Sequence, residues 1–266
     1  MNSSLYCAEQ GIGSKTIVLL HGFGGCHEVW RGVSDTLSLF ARTLAYDLPG
    51  HGLSLDFPGA GPAKVAARAV LADPAVRAAK RIHLVGHSMG GAVATLMALS
   101  EPGKVASLTL LAPGGFGPEI NGPLLRRYAA AGGLTEILAC LEAMSGHGSP
   151  PARHVAEILL AMRGRPGQLE KLIEVADAMT RDDRQGVIPS DQLATLSMPV
   201  MAVWGSDDPV LPPSQADDLP SHFHVHHVLA AGHMLIEEAP DLVARIVQRN
   251  MRRRSRLARH RLAEVG

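Results

Sequence analysis

The sequence predicts an α/β fold, a mostly parallel doubly wound sheet of about seven strands flanked by helices, with an inserted helical cap. Three observations lead to this prediction. Short apolar runs alternate with longer helical stretches, the runs lack polar alternation, and one stretch of about 70 residues contains only helical patterns. The length of 266 residues and the hydrophobic content of 46% suit one large domain with a sizeable core.

The apolar runs predict the strands. Their continuous apolar, β-branched character is typical of strands buried on both faces of a sheet that helices cover. A short candidate at residues 5–9 precedes them. Six further runs fit, at residues 16–20 (TIVLL), 43–46 (TLAY), 82–85 (IHLV), 108–111 (LTLL), 200–203 (VMAV) and 224–228 (HVHHV).

Helical patterns connect these strands and fill the long stretch without strands. The patterns that read as crossover helices lie at residues 29–40, 63–79 and 92–100. Those in the long stretch lie at residues 124–131, 134–144, 152–162 and 168–180. One crossover needs far fewer residues than this stretch provides, which favours a cap over ordinary crossover helices.

The same patterns divide the chain. We predict a core made of residues 1–117 and 191–250, and a helical cap of residues 118–190 between its two parts. Residues 251–266 form a basic tail. The tail could touch an anionic surface, but a solvated or frayed terminus is the simpler interpretation.

Composition narrows the classes of partner. Lys plus Arg and Asp plus Glu number 25 each, so no global field favours nucleic acid. The three cysteines, Cys7, Cys26 and Cys140, are too few and too scattered for a disulfide framework or a zinc site. No secretory signal or membrane-spanning run is evident, so the default expectation is a soluble cytoplasmic protein without membrane association. The oligomeric state is not predicted.

The strongest functional signal is the sequence GHSMGG at residues 86–91. It lies directly after a predicted strand and before an apolar helix, the context of a nucleophile elbow. Gly86 and Gly90 lack a Cβ, so the strand and the helix can approach closely around Ser88. The serine hydroxyl is thereby raised above the sheet at a helix N-terminus, where an oxyanion would be stabilised. A chance glycine-rich turn is the alternative.

A serine nucleophile needs a base and an orienting carboxylate. Of the 13 histidines, His233 is best placed, in the loop after the last strand, where Gly232 permits a sharp turn. Two carboxylates follow the strand at 200–203, Asp207 and Asp208. Either can orient the histidine, and the other would serve the turn.

Two backbone amides are expected to bind the oxyanion. One is that of Met89, the residue after the nucleophile. The other comes from HGFGG at residues 21–25, where glycines give the backbone room to turn inward, and we assign it to Phe23.

Asp47 and three histidines at the last predicted strand could also be taken for functional residues. Asp47 follows a predicted strand in DLPGHGLS and is interpreted as bonding to the backbone of a turn. His222, His224 and His226 alternate along the last strand and would share one face. No cysteine or acidic cluster supports them, so we predict no metal site there.

At these residues the chain resembles the α/β-hydrolase superfamily, especially its small, capped, esterase-like members. The matching blocks, in order, are HGFGG, DLPGHGLS, GHSMGG, WGSDDPV and AAGHMLIEEAP, from about residue 16 to 247. The resemblance implies Ser88, Asp208 and His233 as the triad, with Phe23 and Met89 as oxyanion donors. It also implies two strands before residue 16. Because the chain offers one candidate, we expect seven strands, with the family's first strand missing.

The resemblance excludes some activities and leaves others open. Dehalogenases and epoxide hydrolases of the superfamily carry an aspartate where this chain has Ser88. C–C hydrolases often have an asparagine before the serine, whereas this chain has His87. HGFGGCHEVWRGV resembles carboxylesterases that act on acyl-carrier methyl esters, although the cap does not match them closely.

These observations favour a carboxylesterase-like serine hydrolase. It would cleave a small to medium ester through an acyl-enzyme intermediate, without metal or organic cofactor. The alternatives are a C–C hydrolase, a lactonase or a perhydrolase with the same triad. A slow-turnover ligand receptor or accessory subunit is a further alternative, because a fold does not determine function.

Overall fold

The computed structural model describes residues 4–150 and 152–253. Its centre is one seven-stranded sheet. The strands are β1 (Cys7–Gln10), β2 (Thr16–Leu20), β3 (Arg42–Tyr46), β4 (Ile82–His87), β5 (Val105–Leu111), β6 (Val200–Gly205) and β7 (His224–Val228). The order across the sheet is β1-β3-β2-β4-β5-β6-β7. β1 is antiparallel to β3, and all other neighbours are parallel.

The predicted fold class and number of strands are confirmed. The continuous apolar runs form buried strands, and all five residues of β2 are buried. β7 is the exception, because it lies at the edge of the sheet and four of its five residues are exposed. β4 runs two residues beyond the predicted end because Gly86 and His87 stay in register with Leu110 and Leu111 of β5. Burial inside a sheet thus extends a strand across residues with low strand propensity.

Eleven α-helices accompany the sheet in the described residues. Seven belong to the segments predicted as core: α1 (Arg31–Ser38), α2 (Ala63–Ala72), α3 (Pro74–Ala78), α4 (Met89–Ser100), α9 (Ser190–Ala194), α10 (Leu235–Glu238) and α11 (Pro240–Met251). The helix predicted at 63–79 is broken, because Asp73 is extended, caps α3 through the Ala75 amide, and precedes a proline. None of the helices in the described ranges has the length and apolarity needed to cross a bilayer.

The other four helices lie, like α9, between β5 and β6, where the helical insertion was predicted. They are α5 (Gly122–Ala130), α6 (Leu134–Met144), α7 (Arg153–Arg163) and α8 (Gln168–Met179). The two ends of this segment pair with each other, through an antiparallel bridge between Glu119 and Arg184. The limits 118–190 for the cap stay a prediction. The basic tail lies outside the described residues beyond Arg253.

Candidate active site

Ser88 occupies a strained turn between β4 and α4. Its φ of 51° and ψ of −118° lie outside the regions that side chains favour. Hydrogen bonds hold this backbone. The Ser88 amide donates to Leu111 O at 2.9 Å, and the Ser88 carbonyl accepts from Gly91 N at 2.8 Å and Gly114 N at 2.9 Å. The loop after β5 therefore fixes the turn that presents the hydroxyl.

Two glycines make this turn possible. A Cβ on Gly86 would lie 2.3 Å from Gly90 O, and a Cβ on Gly90 would lie 2.2 Å from Leu20 O. Any side chain at either position would push α4 away from the sheet. The close approach that the GHSMGG sequence predicted is therefore present.

His233 and Asp208 form a buried pair. The His233 Nδ1 lies 2.8 Å from Asp208 Oδ2, and both side chains are almost completely inaccessible to solvent. The other carboxylate oxygen, Oδ1, accepts from Val210 N at 2.8 Å and Leu211 N at 2.9 Å. The carboxylate is thus fixed at both oxygens, and its acceptor position requires the Nδ1–H tautomer of a neutral imidazole.

The Asp207 carboxylate contacts Ser206 and His147 rather than His233. It accepts from the Ser206 hydroxyl at 2.8 Å and lies 3.3 Å from the exposed His147 ring. Of the two carboxylates that the sequence offered, the structure places Asp208 beside the histidine.

The loop that carries His233 is anchored by Glu238. This carboxylate accepts from the amides of Gly232 and Met234 in the loop, and from Gly146 N after α6, at 2.9 to 3.1 Å. The His233 amide also donates to Met144 O at 2.8 Å. The histidine loop and the end of α6 are therefore held together. Sequence reasoning missed Glu238, although an acidic residue so close to the histidine block is a signal that could have found it.

His87 supports the same loop from the sheet. Its Nε2–H donates to the His233 carbonyl at 2.8 Å, and the two rings lie 4.9 Å apart. Burial, with the neighbouring His233 adding to it, lowers the pKa of His87 to about 3. His87 is therefore neutral at physiological pH and serves as a hydrogen-bond donor.

Two further buried histidines shape the predicted oxyanion loop. The His21 Nε2 accepts from Leu48 N at 2.9 Å, and the His51 Nε2 accepts from Gly24 N at 3.1 Å. Each Nδ1–H donates to a carbonyl, Gly22 O and Pro49 O respectively. Burial lowers the pKa of His51 to about 3 and also lowers that of His21. Both rings act as neutral donor–acceptor bridges, a role that the sequence did not indicate.

The predicted oxyanion donors remain available. Within the described parts of the chain, neither the Phe23 amide nor the Met89 amide donates a hydrogen bond. Met89 begins α4, so its N–H has no partner inside the helix. The Phe23 ring packs edge-on against Tyr128 of α5, which fixes the loop from the other side.

Ser88 lies between two cavities. A small one of about 30 Å³ is also lined by Phe23 and His233. A larger one of about 530 Å³ is also lined by Met89 and by apolar residues of the chain between β5 and β6, such as Ile120. In the described residues no hydrogen bond joins Ser88 Oγ to the imidazole. Such bonds are often long in the absence of substrate.

One cluster of described residues has metal-ligand chemistry. Atoms of Cys26, His27 and Asp47 lie within 4.8 Å of one another. Asp47 already accepts from the His27 amide at 2.6 Å, the His27 ring at 2.8 Å and Leu53 N at 2.8 Å. Burial raises the pKa of the Cys26 thiol to about 12, so this sulfur stays protonated. The bonds agree with the backbone-bonding role predicted for Asp47. The described cluster includes none of His222, His224 and His226.

Comparison with known proteins places the chain in a family. A sequence model described as the Alpha/beta hydrolase family matches residues 17–246. The chain belongs to the alpha/beta hydrolase family. This alpha/beta hydrolase is 32% identical over 241 residues to the dihydrolipoyllysine-residue acetyltransferase component of the acetoin cleaving system of Cupriavidus necator, which covers 89% of the chain. The chain spans 64% of the length of that relative.

Further relatives differ in their activities. The alpha/beta hydrolase is 31% identical over 231 residues to the pimeloyl-(acyl-carrier protein) methyl ester esterase of Vibrio parahaemolyticus, covering 82% of the chain and 86% of the esterase. A meta-cleavage product hydrolase from Pseudomonas fluorescens IP01 superposes with a TM-score of 0.77 at 20% identity, covering 92% of this chain and 93% of that one. The last similarity establishes the shared fold.

Proposed function

We propose that this alpha/beta hydrolase cleaves small to medium carboxylic esters through an acyl-enzyme on Ser88. The observation that carries the proposal is the placement of Ser88 and His233 on one cavity, with the His233 Nδ1 held 2.8 Å from Asp208. A strained serine at a helix N-terminus, on the same cavity as an oriented imidazole, is the arrangement that acyl transfer requires.

The proposed reaction begins when Ser88 Oγ attacks the ester carbonyl and its proton passes to His233 Nε2. Asp208 stabilises the imidazolium through Nδ1, while the amides of Phe23 and Met89 bind the oxyanion. His233 then gives its proton to the leaving alkoxide, which departs as the alcohol. Water attacks the acyl-enzyme with the same base, and the carboxylic acid leaves as Ser88 regains its proton.

The cavities suggest the size of the substrate. The small cavity of about 30 Å³ admits one or two water-sized groups. The cavity of about 530 Å³ is of the size that binds small organic ligands. We propose that residues 118–190 form a cap over the site, that a short group enters the first cavity, and that the longer part of the substrate lies in the second.

A second candidate is transfer of the acyl group to a thiol. It is favoured by the 32% identity to an acetyltransferase component and by a small cavity that suits an acetyl group. In this reaction a thiol sulfur attacks the acyl-enzyme carbonyl and His233 accepts the thiol proton. The bond between the carbonyl carbon and Ser88 Oγ then breaks, the thioester leaves, and His233 returns the proton to Ser88 Oγ.

A panel of p-nitrophenyl esters of graded chain length tests the proposal. We expect wild-type protein to release p-nitrophenolate, fastest with short acyl chains, and Ser88→Ala to be inactive. Adding dihydrolipoamide separates the two candidates, because thioester formation at the expense of free acid indicates transfer. Turnover of no ester by the wild type would overturn both and favour C–C cleavage or a receptor.

A further inference from the structure

Glu237 and Glu238 both follow the loop that carries His233, but they differ in their hydrogen bonds. Glu237 lies on α10, four residues after His233, and lines the small cavity together with Ser88 and His233. Its Oε2 is buried and has no hydrogen-bond partner within the described part of the chain. Glu238, the next residue, is fully engaged with three amides. Glu237 therefore contributes no comparable bond through Oε2 to the fold.

The rest of the cavity wall offers little polar chemistry. The Tyr128 hydroxyl is directed to Gly24 O at 3.4 Å, and the His87 Nε2–H is directed to the His233 carbonyl. The remaining side chains of the wall are apolar: Phe23, Val29, Leu125, Met144, Leu159 and Met234. A buried carboxyl oxygen without a partner, such as Glu237 Oε2, destabilises the protein in such a wall unless a ligand pairs with it.

The charge state of the carboxyl limits what it can bind. Burial raises the pKa of Glu237 to about 8, although a hydrogen bond from the residue's own backbone amide opposes this effect and the charge of Glu238 adds to it. Tyr128, His87 and His233 are the other titratable groups on the described wall. At neutral pH a carboxyl with this pKa is mostly protonated, so it offers one O–H donor and one carbonyl acceptor.

A hydroxyl group fits the small cavity and can form hydrogen bonds with the Glu237 carboxyl. It donates one hydrogen bond and accepts others, and it carries no charge that the apolar wall would have to bury. We propose that Glu237 is a specificity-determining residue that binds a hydroxyl group on the short part of the substrate, the part that enters the small cavity beside Ser88. This inference deepens the proposed esterase function and rests on it for the identity of the substrate.

Binding to the inactive Ser88→Ala variant tests the inference without turnover. Ligand titrations followed by NMR would compare two isosteric pairs, methyl glycolate with methyl propionate, and 2-hydroxyethyl acetate with propyl acetate. The members of each pair differ by a hydroxyl in place of a methyl group, on the acyl side and on the alcohol side respectively. We expect the hydroxylated member of at least one pair to bind 5-fold or more tightly.

Variants of Glu237 assign that preference. In the Ser88→Ala background, Glu237→Leu should abolish it, Glu237→Gln should retain part of it, and Glu142→Leu, at an exposed acid on α6, should leave it unchanged. Equal binding within both pairs, or a preference that survives in Glu237→Leu, would overturn the inference. If Glu237→Leu does not fold, a weaker preference in Glu237→Gln together with an unchanged one in Glu142→Leu still supports the inference. A preference in Glu237→Gln equal to that of the parent overturns it. Failure of the ester panel would count against the proposed function alone, because these titrations do not depend on hydrolysis.

Discussion

Replacing Asp208 by asparagine tests how the site orients its base. The Asp208 Oδ1 accepts two backbone N–H groups, from Val210 and Leu211. In Asp208→Asn the amide oxygen must take this position, because an NH₂ group there would face two donors. The NH₂ group then faces His233 Nδ1 and donates to it. The single proton of the neutral imidazole is thereby moved to Nε2, the atom that has to accept the proton of Ser88.

The expected effect is large and confined to catalysis. With the wrong tautomer, kcat should fall by roughly 10³–10⁴-fold, equivalent to about 4–5.5 kcal/mol of transition-state stabilisation. The assay is steady-state hydrolysis of p-nitrophenyl acetate, with KM changing little because the binding cavities are untouched. Thermal unfolding would confirm that the variant is folded.

The neighbouring carboxylate provides a matched control. Asp207 contacts Ser206 and the exposed His147, so Asp207→Asn should stay within about 2-fold of wild-type activity. The reasoning is refuted if Asp208→Asn keeps more than a tenth of the activity, or if both variants lose the same fraction of it.

Three further predictions concern stability. The pKa values of about 3 for His51 and His87 lie below the ordinary 6.5, so the unfolded state binds more protons at these two rings. Their contribution to stability therefore falls as pH drops from 6.5, by up to ~1.4 kcal/mol per pH unit for each ring. Urea unfolding of Glu237→Gln at pH 7.0 and 5.5 measures this loss without the opposing titration of Glu237. The raised pKa of Glu237 has the opposite sign, so the contribution of this residue to stability falls as pH rises from 4.5 to 8. Glu237→Gln should therefore be more stable than wild type by roughly 1–3 kcal/mol at pH 7.5. Gly90→Ala should lose about 3 kcal/mol or fail to fold, because its Cβ would meet Leu20 O at 2.2 Å.

Each of these has its own check. In Glu237→Gln, which lacks the opposing titration, a urea midpoint that does not change between pH 7.0 and 5.5 would contradict neutral buried histidines. The gain from Glu237→Gln should vanish near pH 4.5, and a constant difference would point to packing instead of ionisation. Gly103→Ala is the control for Gly90→Ala, since a Cβ on Gly103 meets nothing within 4 Å. Equal stability of the two alanine variants would show that the tight elbow is not needed for folding.

Much of the fold could be predicted because its signals are local. Buried parallel strands are continuous apolar runs, and all six predicted runs between residues 16 and 228 became strands, the histidine-rich β7 as an exposed edge strand. The signal for the nucleophile elbow is also local, because Gly86 and Gly90 predict a tight turn around Ser88 without knowledge of the residues that pack against it. The choice of Asp208 over Asp207 came from family resemblance, and the structure gives its physical basis in the amides of Val210 and Leu211.

Features that depend on distant contacts were not predictable. Glu237 and Glu238 are adjacent and chemically identical in sequence, yet one binds three amides and the other faces a cavity. Two of these amides, Gly232 N and Met234 N, are local, and the third, Gly146 N, lies 92 positions earlier in the chain after α6. His21 and His51 gain their roles in the same way, from partners 27 residues away. Sequence patterns report which face of an element is buried, but not which polar atom will meet it there.

The central claim is that Ser88 is a nucleophile activated by His233. Intact-protein and peptide mass spectrometry after treatment with a fluorophosphonate tests this claim most directly. We predict one adduct per chain, located on Ser88, absent in Ser88→Ala and formed at least 100-fold more slowly in His233→Ala. No adduct on the folded wild-type protein, or labelling that is equally fast without the His233 imidazole, would contradict the account.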